Sequence, residues 1–207
     1  MGNREDLLAG AKRCLYEKGY GRTTARDIAA AAGVSLAAIG YHFGSKETLL
    51  NAAMMQATGE WGEELERALA TEIDPDATPM ERFETAWARV VESLAAHRPL
   101  WAAQFEIFAQ IDRAPDIREF LADAQRQGRL GLASLLQNID PAVDEEKARV
   151  VGGFYHALLS GVLVQWLTDP DSAPSGCDLA DALRIIVTDI GSVDQVASPQ
   201  DADVPER

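Results

Sequence analysis

Cysteine is almost missing from this chain, with only Cys14 and Cys177 among 207 residues. Two thiols so far apart build neither a disulfide framework nor a cysteine-rich metal site, which excludes a stapled secreted fold and a zinc finger. Histidine is nearly as scarce. His42, His97 and His156 form no His-Glu-x-x-His run and no paired Glu-x-x-His, so a zinc or di-iron centre lacks ligands, and neither metal nor other cofactor is expected. A Gly-x-Ser-x-Gly elbow and a Gly-rich phosphate loop are also absent, so no catalytic residue is nominated and the chain is not read as an enzyme. Met1–Asp6 is polar and leads into no apolar stretch, so a cytoplasmic protein without a secretory start is expected.

Positive charge is short as well, with 19 Lys and Arg against 33 Asp and Glu, a formal net charge of −14. The shortage is uneven. Residues 1–50 hold seven basic and five acidic side chains, a net +2, which leaves −16 for the remainder. A polyanion such as DNA would be repelled by the acidic body and approached only by the N-terminal end. Composition alone fits a merely soluble acidic surface equally well.

Apolar residues, 47% of the chain, recur at helical spacing and nowhere alternate as in a half-buried strand. Leu8, Ala11 and Leu15 mark a first helix that Gly19–Arg22 ends. Thr24 opens a short helix, with Asp27 placed to close a capping box and Ile28, Ala29 and Ala32 on its buried side. Gly33 suits a tight turn, Ser35 caps a helix ending near Phe43, and Ser45 caps a longer one to about Leu69. Further helices follow over Glu81–Ala96, from Pro99, over Ile117–Ile139, and through Leu179, Leu183, Ile186 and Ile190. The expected architecture is all-α, with a three-helix helix-turn-helix domain over residues 1–50 and a larger helical domain over 51–193. The polar tail 194–207 reads as disordered.

Val150–Thr168 contains no charged residue in 19 positions. Its length would satisfy a membrane span, but Gly152, Gly153, His156, Ser160, Gly161 and Gln165 interrupt it. A helix apolar on all sides in a soluble chain of this size is expected to bury partly against a second copy of itself. A homodimer through about 150–168 and 179–190 follows, with Gly161 allowing close approach and Leu158 and Val162 at the contact.

The segment Thr24–Lys46, TARDIAAAAGVSLAAIGYHFGSK, places two short helices about a glycine turn under a first helix, which is a helix-turn-helix. At 100° per residue Ile39, Phe43 and Leu36 fall on one side and point inward, while Ala37, Tyr41 and Ala38 face out beside Gly40 and His42. Small outward residues let a helix sink close to base edges, and Tyr41 and His42 can hydrogen-bond phosphate oxygens. Lys46, in the first turn after the Ser45 cap, suits a phosphate beside free backbone N–H groups.

This segment resembles the DNA-binding domain of the TetR family of transcriptional regulators. The matching residues are Thr24, Ile28-Ala29, Ala32-Gly33-Val34-Ser35, Ile39, Tyr41-His42-Phe43, Lys46-Glu47 and Leu49-Leu50, within about residues 5–50. The resemblance implies that Arg26 lies where the family reaches a base and Thr24 where it holds a phosphate. Arg26 as a surface residue paired with Asp27 or solvent is the competing reading. Ala37 stands where the family usually has Gly and Gly40 where it usually has Tyr, so operator preference does not transfer. The full candidate DNA-contacting set is Thr24, Arg26, Ser35, Leu36, Ala37, Ala38, Gly40, Tyr41, His42 and Lys46.

The resemblance also implies a small-molecule effector bound among the C-terminal helices. Candidate ligand residues are Trp87, Trp101, Gln104, Phe105, Phe108, Phe120, Tyr155 and His156, with His97 and Arg126 as further polar groups. The same aromatics equally suit an ordinary core, and Cys14 reads as a small core residue. The resulting expectation is a homodimeric repressor released from a palindromic DNA operator by a small, largely apolar ligand. The alternative is a helical small-molecule-binding or enzymatic bundle in which the helix-turn-helix is only structural.

Overall fold

The computed structural model describes residues 3–72, 74, 76–109 and 115–196. Among them there are nine helices and no strand: α1 (Asn3–Lys18), α2 (Ala25–Ala32), α3 (Ala37–Phe43), α4 (Lys46–Glu72), α5 (Pro79–Ala96), α6 (Arg98–Phe108), α7 (Pro115–Gln137), α8 (Glu145–Thr168) and α9 (Gly176–Val196). Local chemistry sets most of the boundaries. Gly19 takes φ 81° and stops α1. Ser45 Oγ accepts from Thr48 N at 3.0 Å to start α4. Thr78 and Glu81 form a capping box ahead of α5, so that helix begins at Pro79 rather than Glu81. Asp144 caps α8 by accepting from Lys147 N.

Helix α4 runs without a break through position 50 and buries Leu49, Leu50, Ala53, Met54, Ala57, Trp61, Leu65 and Leu69. That stripe meets α1 and α3 near its start and α5 and α6 farther on. The result is a main apolar core from Leu7 to Ala180, beside a small second cluster of Ala133, Ile139 and Ala148. In α1 the buried partner of Ala11 and Leu15 is Leu7, not Leu8, which is half-buried; the stripe starts one residue earlier than the spacing suggests. Cys14 is buried as expected. Phe83, Trp87, Val90 and Leu94 of α5 are all buried.

Helices α7 and α8 lie against each other so closely that a Cβ on Gly152 would collide with the Arg129 carbonyl. Gln137 Nε2 donates to the Tyr155 hydroxyl across the same contact at 2.5 Å. Gly176 similarly lets the start of α9 approach the α5 backbone at Ala88. The uncharged helix is not buried on all sides. Val162 is 1% exposed and turned into its own protomer, so it lies away from the uncovered face on which it is expected. Val150, Phe154 and Val164 of α8 and Ile185, Ile186, Val187 and Ile190 of α9 are exposed. Residues 194–196, expected in a disordered tail, continue α9; the rest of the tail lies outside the described residues.

Gly152→Ala should destabilise the protein by about 1–3 kcal/mol, because the α7 backbone must move. Gly131→Ala, with open space at its Cβ, should be neutral or stabilising by up to about 1 kcal/mol through helix propensity. Urea-unfolding midpoints of the two variants compare them directly.

Candidate nucleic-acid interface

Thr24 takes an extended conformation at the start of α2 and its hydroxyl oxygen accepts from Asp27 N at 3.2 Å. Asp27 answers by accepting from Thr24 N at 2.9 Å and from the Thr24 hydroxyl at 2.6 Å. The other Asp27 oxygen takes Lys18 Nζ at 2.5 Å. Lys18 foremost, with the two Thr24 donors, holds the Asp27 carboxyl well below the ordinary carboxylate range. Asp27 is thereby committed to Lys18 and Thr24 and does not pair with Arg26, which stands exposed on the same helix. The Thr24 hydroxyl proton is also committed, so a phosphate there would have to draw it from Asp27.

Gly33, at φ 68°, ends α2 in the left-handed region, and Val34 N closes the turn on Ala29 O at 3.1 Å. Helix α3 then starts without a side-chain cap. Ser35 acts through its backbone, its carbonyl accepting from Ala38 N at 3.0 Å, and not through its hydroxyl as expected. Gly44, at φ 77°, ends α3 with its N–H on Gly40 O.

Ile39 is the buried anchor of α3, and the Arg4 guanidinium lies over the half-buried Phe43 ring, 5.3 Å from its centroid. Two positions correct the helical-wheel reading. Leu36 is 48% exposed instead of inward, because it precedes the helix and has no turn above it to pack beneath. Ala38 is half-buried against the core instead of facing out, since so short a helix is tilted onto its neighbours. Ala37 and Gly40 are exposed, and Tyr41 is 86% exposed with its ring edge-to-face on His42 at 4.9 Å. The outer face is therefore Leu36, Ala37, Gly40 and Tyr41, with His42 half-buried and Arg26 nearby in sequence on α2.

Lys46 is less free than its sequence position suggests. Its Nζ donates to Thr23 O at 3.1 Å and lies 3.4 Å from Glu47 Oε1. An ammonium has three donors, so Lys46 ties α4 to the start of α2 and retains one for a phosphate.

Several supports have no motif to announce them. Tyr20 donates to Asn51 Oδ1 at 2.9 Å, and burial, with Glu47 behind it, pushes the phenol up to about 12. Thr23, the one buried polar residue among those described, donates to Gly19 O. Glu106 of α6 accepts from Gly21 N at 2.7 Å, and a Cβ at Gly19 would strike the same carboxylate. Paired glycines in the α1–α2 loop are the available signal, but they do not say which side chain approaches.

Six of the eight candidate ligand residues, Trp87, Trp101, Phe105, Phe108, Phe120 and Tyr155, lie in or pack against the main apolar core, in separate ring contacts. Trp87 stacks on Tyr155 with centroids 6.3 Å apart, and Phe83 lies 6.1 Å from Trp87 and 6.3 Å from Tyr155. Trp101 instead meets Trp61 edge-to-face at 4.8 Å, and Phe105 neighbours Phe108 at 6.0 Å. Phe120 is half-buried against the core, and His156, also half-buried, is pushed down in pKa by burial and by Arg129. Arg126 points outward and pairs with Asp123, because α7 turns that face to solvent. His97 places Nε2 3.2 Å from Glu64. An open groove lies elsewhere, lined by Ala9, Lys12, Arg13, Tyr16 and Glu60.

A capped pair of short helices about a left-handed glycine, with small residues and one tyrosine on the outer face, defines a helix-turn-helix DNA-binding protein. Comparison with known proteins agrees. Residues 7–53 match the family model for bacterial regulatory proteins of the tetR family, and residues 78–190 match the tetracyclin repressor-like C-terminal domain. The chain is 29% identical over 185 residues to the HTH-type transcriptional regulator TtgR of Pseudomonas putida, covering 82% of each chain. It is 30% identical over 158 residues to the HTH-type transcriptional regulator BetI of Rhizobium meliloti, covering 73% of this chain and 75% of BetI. The crystal structure of the multidrug binding protein EbrR superposes with a TM-score of 0.63 at 24% identity, over 89% of this chain and 94% of that one. The chain belongs to the TetR family and is a DNA-binding transcriptional regulator.

Asp27 contributes stability that is fully present above the ordinary carboxylate value of 3.8 and is lost as pH falls from there toward its lowered folded value. Asp27→Asn should therefore flatten the fall in melting temperature below about pH 4, read by circular dichroism. Thr24→Ala should cost about 1 kcal/mol at neutral pH through loss of the cap.

Proposed function

We propose that this regulator is a homodimeric repressor that leaves a pseudo-palindromic operator when a small, largely apolar molecule binds its C-terminal helices. The observation that carries the reading is the uncovered apolar face of α8 and α9. Seven large hydrophobic side chains stand there exposed, at the far end of the sequence from a reader that can serve only one half-site. A second copy is the occupant that covers the face and supplies the other half-site in one operation. Domain roles follow: a DNA-binding unit to about residue 50, and an effector-binding and dimerisation unit over 51–193.

Base readout rests on Arg26, the exposed guanidinium of α2, and on the shallow face Leu36, Ala37, Gly40 and Tyr41. Thr24, Ser35, Ala38, His42 and Lys46 position the backbone around it. EbrR has been crystallised with imidazole and with proflavin, which supports a ligand-responsive role for the related C-terminal fold here. Glu106 offers the physical link: it sits on α6 beside the candidate ligand residues and holds the Gly21 amide two residues before the buried Thr23. A shift of α6 would move the loop that leads into the Thr24 cap.

Ile186→Arg should yield monomer by sedimentation and lose operator affinity, although no reader residue has changed. A folded monomer binding the operator as tightly as the parent would refute the dimer. Arg26→Ala should cost about 1–3 kcal/mol on the correct base pair only. Lys46→Ala should weaken all sequences alike and reduce the salt slope by about one for each phosphate that the ammonium no longer neutralises. Half-sites should lie about 34–36 Å apart, or at a multiple of that spacing.

A further inference from the structure

Helix α3 and the residue before it read Leu36-Ala37-Ala38-Ile39-Gly40-Tyr41-His42-Phe43, a run without Arg, Lys, Asn, Gln, Asp or Glu. Those are the side chains that single out a base by hydrogen bonds: Arg or Lys on guanine, Asn or Gln on adenine, Asp or Glu on cytosine. Within the run only Tyr41 and His42 carry a side-chain hydrogen-bonding group. Neither has the paired groups of a bidentate base contact, and His42 is half-buried with its ring 4.9 Å from that of Tyr41.

What the run presents instead is apolar. Leu36 is 48% exposed, and Ala37 is exposed beside it. Away from α8 and α9, the large hydrophobic side chains exposed among the described residues are Leu36, Tyr41 and Val143, so two of the three stand on this short stretch. Gly40 follows Leu36 by one turn, as Tyr41 follows Ala37. A Cβ on Gly40 would meet nothing within 4 Å, and its φ is not left-handed. Neither packing nor backbone geometry therefore calls for glycine there, and glycine weakens a helix relative to alanine. The outer face is a leucine side chain, an alanine methyl and a bare turn of backbone, flanked by the Tyr41 ring. Apolar surface gains by leaving water for an apolar partner. Base edges in the major groove offer donors, acceptors and one apolar group, the C5-methyl of thymine.

We infer that Leu36, with Ala37 and the open surface of Gly40, is the specificity-determining element of α3 and reads thymine C5-methyl groups, so that the part of each half-site under α3 consists of A·T pairs. This rests on the placement of the outer face of α3 against DNA proposed above and adds the base chemistry that the face selects. Leu36 and Ala37 cover the methyls, and Gly40 lets the α3 backbone come close enough for them to do so. Arg26, on α2, lies outside this set and keeps its own base.

The test uses the full chain and duplexes that it selects from a random pool. The selected half-sites should share a short A·T block. Replacing a thymine of that block by deoxyuridine removes the methyl and leaves every hydrogen-bonding group in place. Affinity should fall by about fourfold for each methyl that the protein covers. Leu36→Ala, at an exposed position, should keep the circular dichroism of the parent and bring the thymine-to-uracil affinity ratio close to one. Gly40→Ala should raise the melting temperature of the free protein by about 2–4 °C and yet weaken the thymine duplex by about fourfold or more. Equal affinity for the thymine and uracil duplexes would overturn the methyl reading, and so would a ratio that Leu36→Ala leaves unchanged. Undiminished binding by Gly40→Ala would overturn the close approach. If Leu36→Ala and Tyr41→Ala both bind the selected duplex as tightly as the parent, the placement of α3 on DNA falls, and not only the base chemistry assigned to it.

Discussion

Leu49, Leu50 and Ala53 of α4 are buried against the DNA-reading helices, and Trp61, Leu65 and Leu69 of the same helix are buried against α5 and α6. A close-packed helix cannot shift at one end and stay put at the other, because its side chains have no free volume to absorb the difference. Polar ties fix the register at both ends. Tyr20 reaches Asn51, Lys46 reaches the Thr23 carbonyl, and Trp61 Nε1 donates to Ser93 of α5 at 2.9 Å. Glu106 supplies a second connection, from α6 to the Gly21 amide, independent of α4. The position of α2 is therefore set by two elements of the larger helical body, α4 and α6.

How much of this can be read from the chain depends on the kind of signal. Caps and left-handed glycines are local, so Thr24 with Asp27, Gly33, Gly44 and Ser45 announce the ends of α2, α3 and α4 correctly. Burial along long helices is periodic, and Phe83, Trp87, Val90 and Leu94 are legible for that reason. Helix α3 has only seven residues, too few for its wheel to fix which way it leans, and the wheel exchanges Leu36 and Ala38 between faces accordingly. Val162 reads as outward because an uncharged helix shows no polar side; only packing against α7 reveals which apolar side is taken. Glu106 and Gly21 lie 85 positions apart, and nothing in either neighbourhood anticipates the other.

The charge distribution and the uncovered face of α8 and α9 bear on each other. A chain with −16 beyond residue 50 gains nothing from holding that part near DNA. If a second copy covers the exposed face of α8 and α9, as proposed above, the acidic surface need not approach the phosphates. Ion pairs flank the exposed part of α9, with Arg184 on Glu84 and Asp181 and the exposed side chains Ile185, Ile186, Val187 and Ile190 close to it in sequence. Exposed pairs of this kind add little energy.

Unpartnered buried atoms and a tightly packed reader are opposite choices made in one chain. Around Thr24 every donor and acceptor that the cap exposes is answered, by Asp27, Lys18 and Lys46, as a fixed structural element demands. Along α5 and α6 the chain instead leaves Trp87 Nε1, His97 Nδ1, Trp101 Nε1 and Gln104 Oε1 without a partner among the described residues. Glu106, two positions beyond Gln104, holds the α1–α2 loop from the same helix, so a rearrangement of α6 is felt at the reader through that contact.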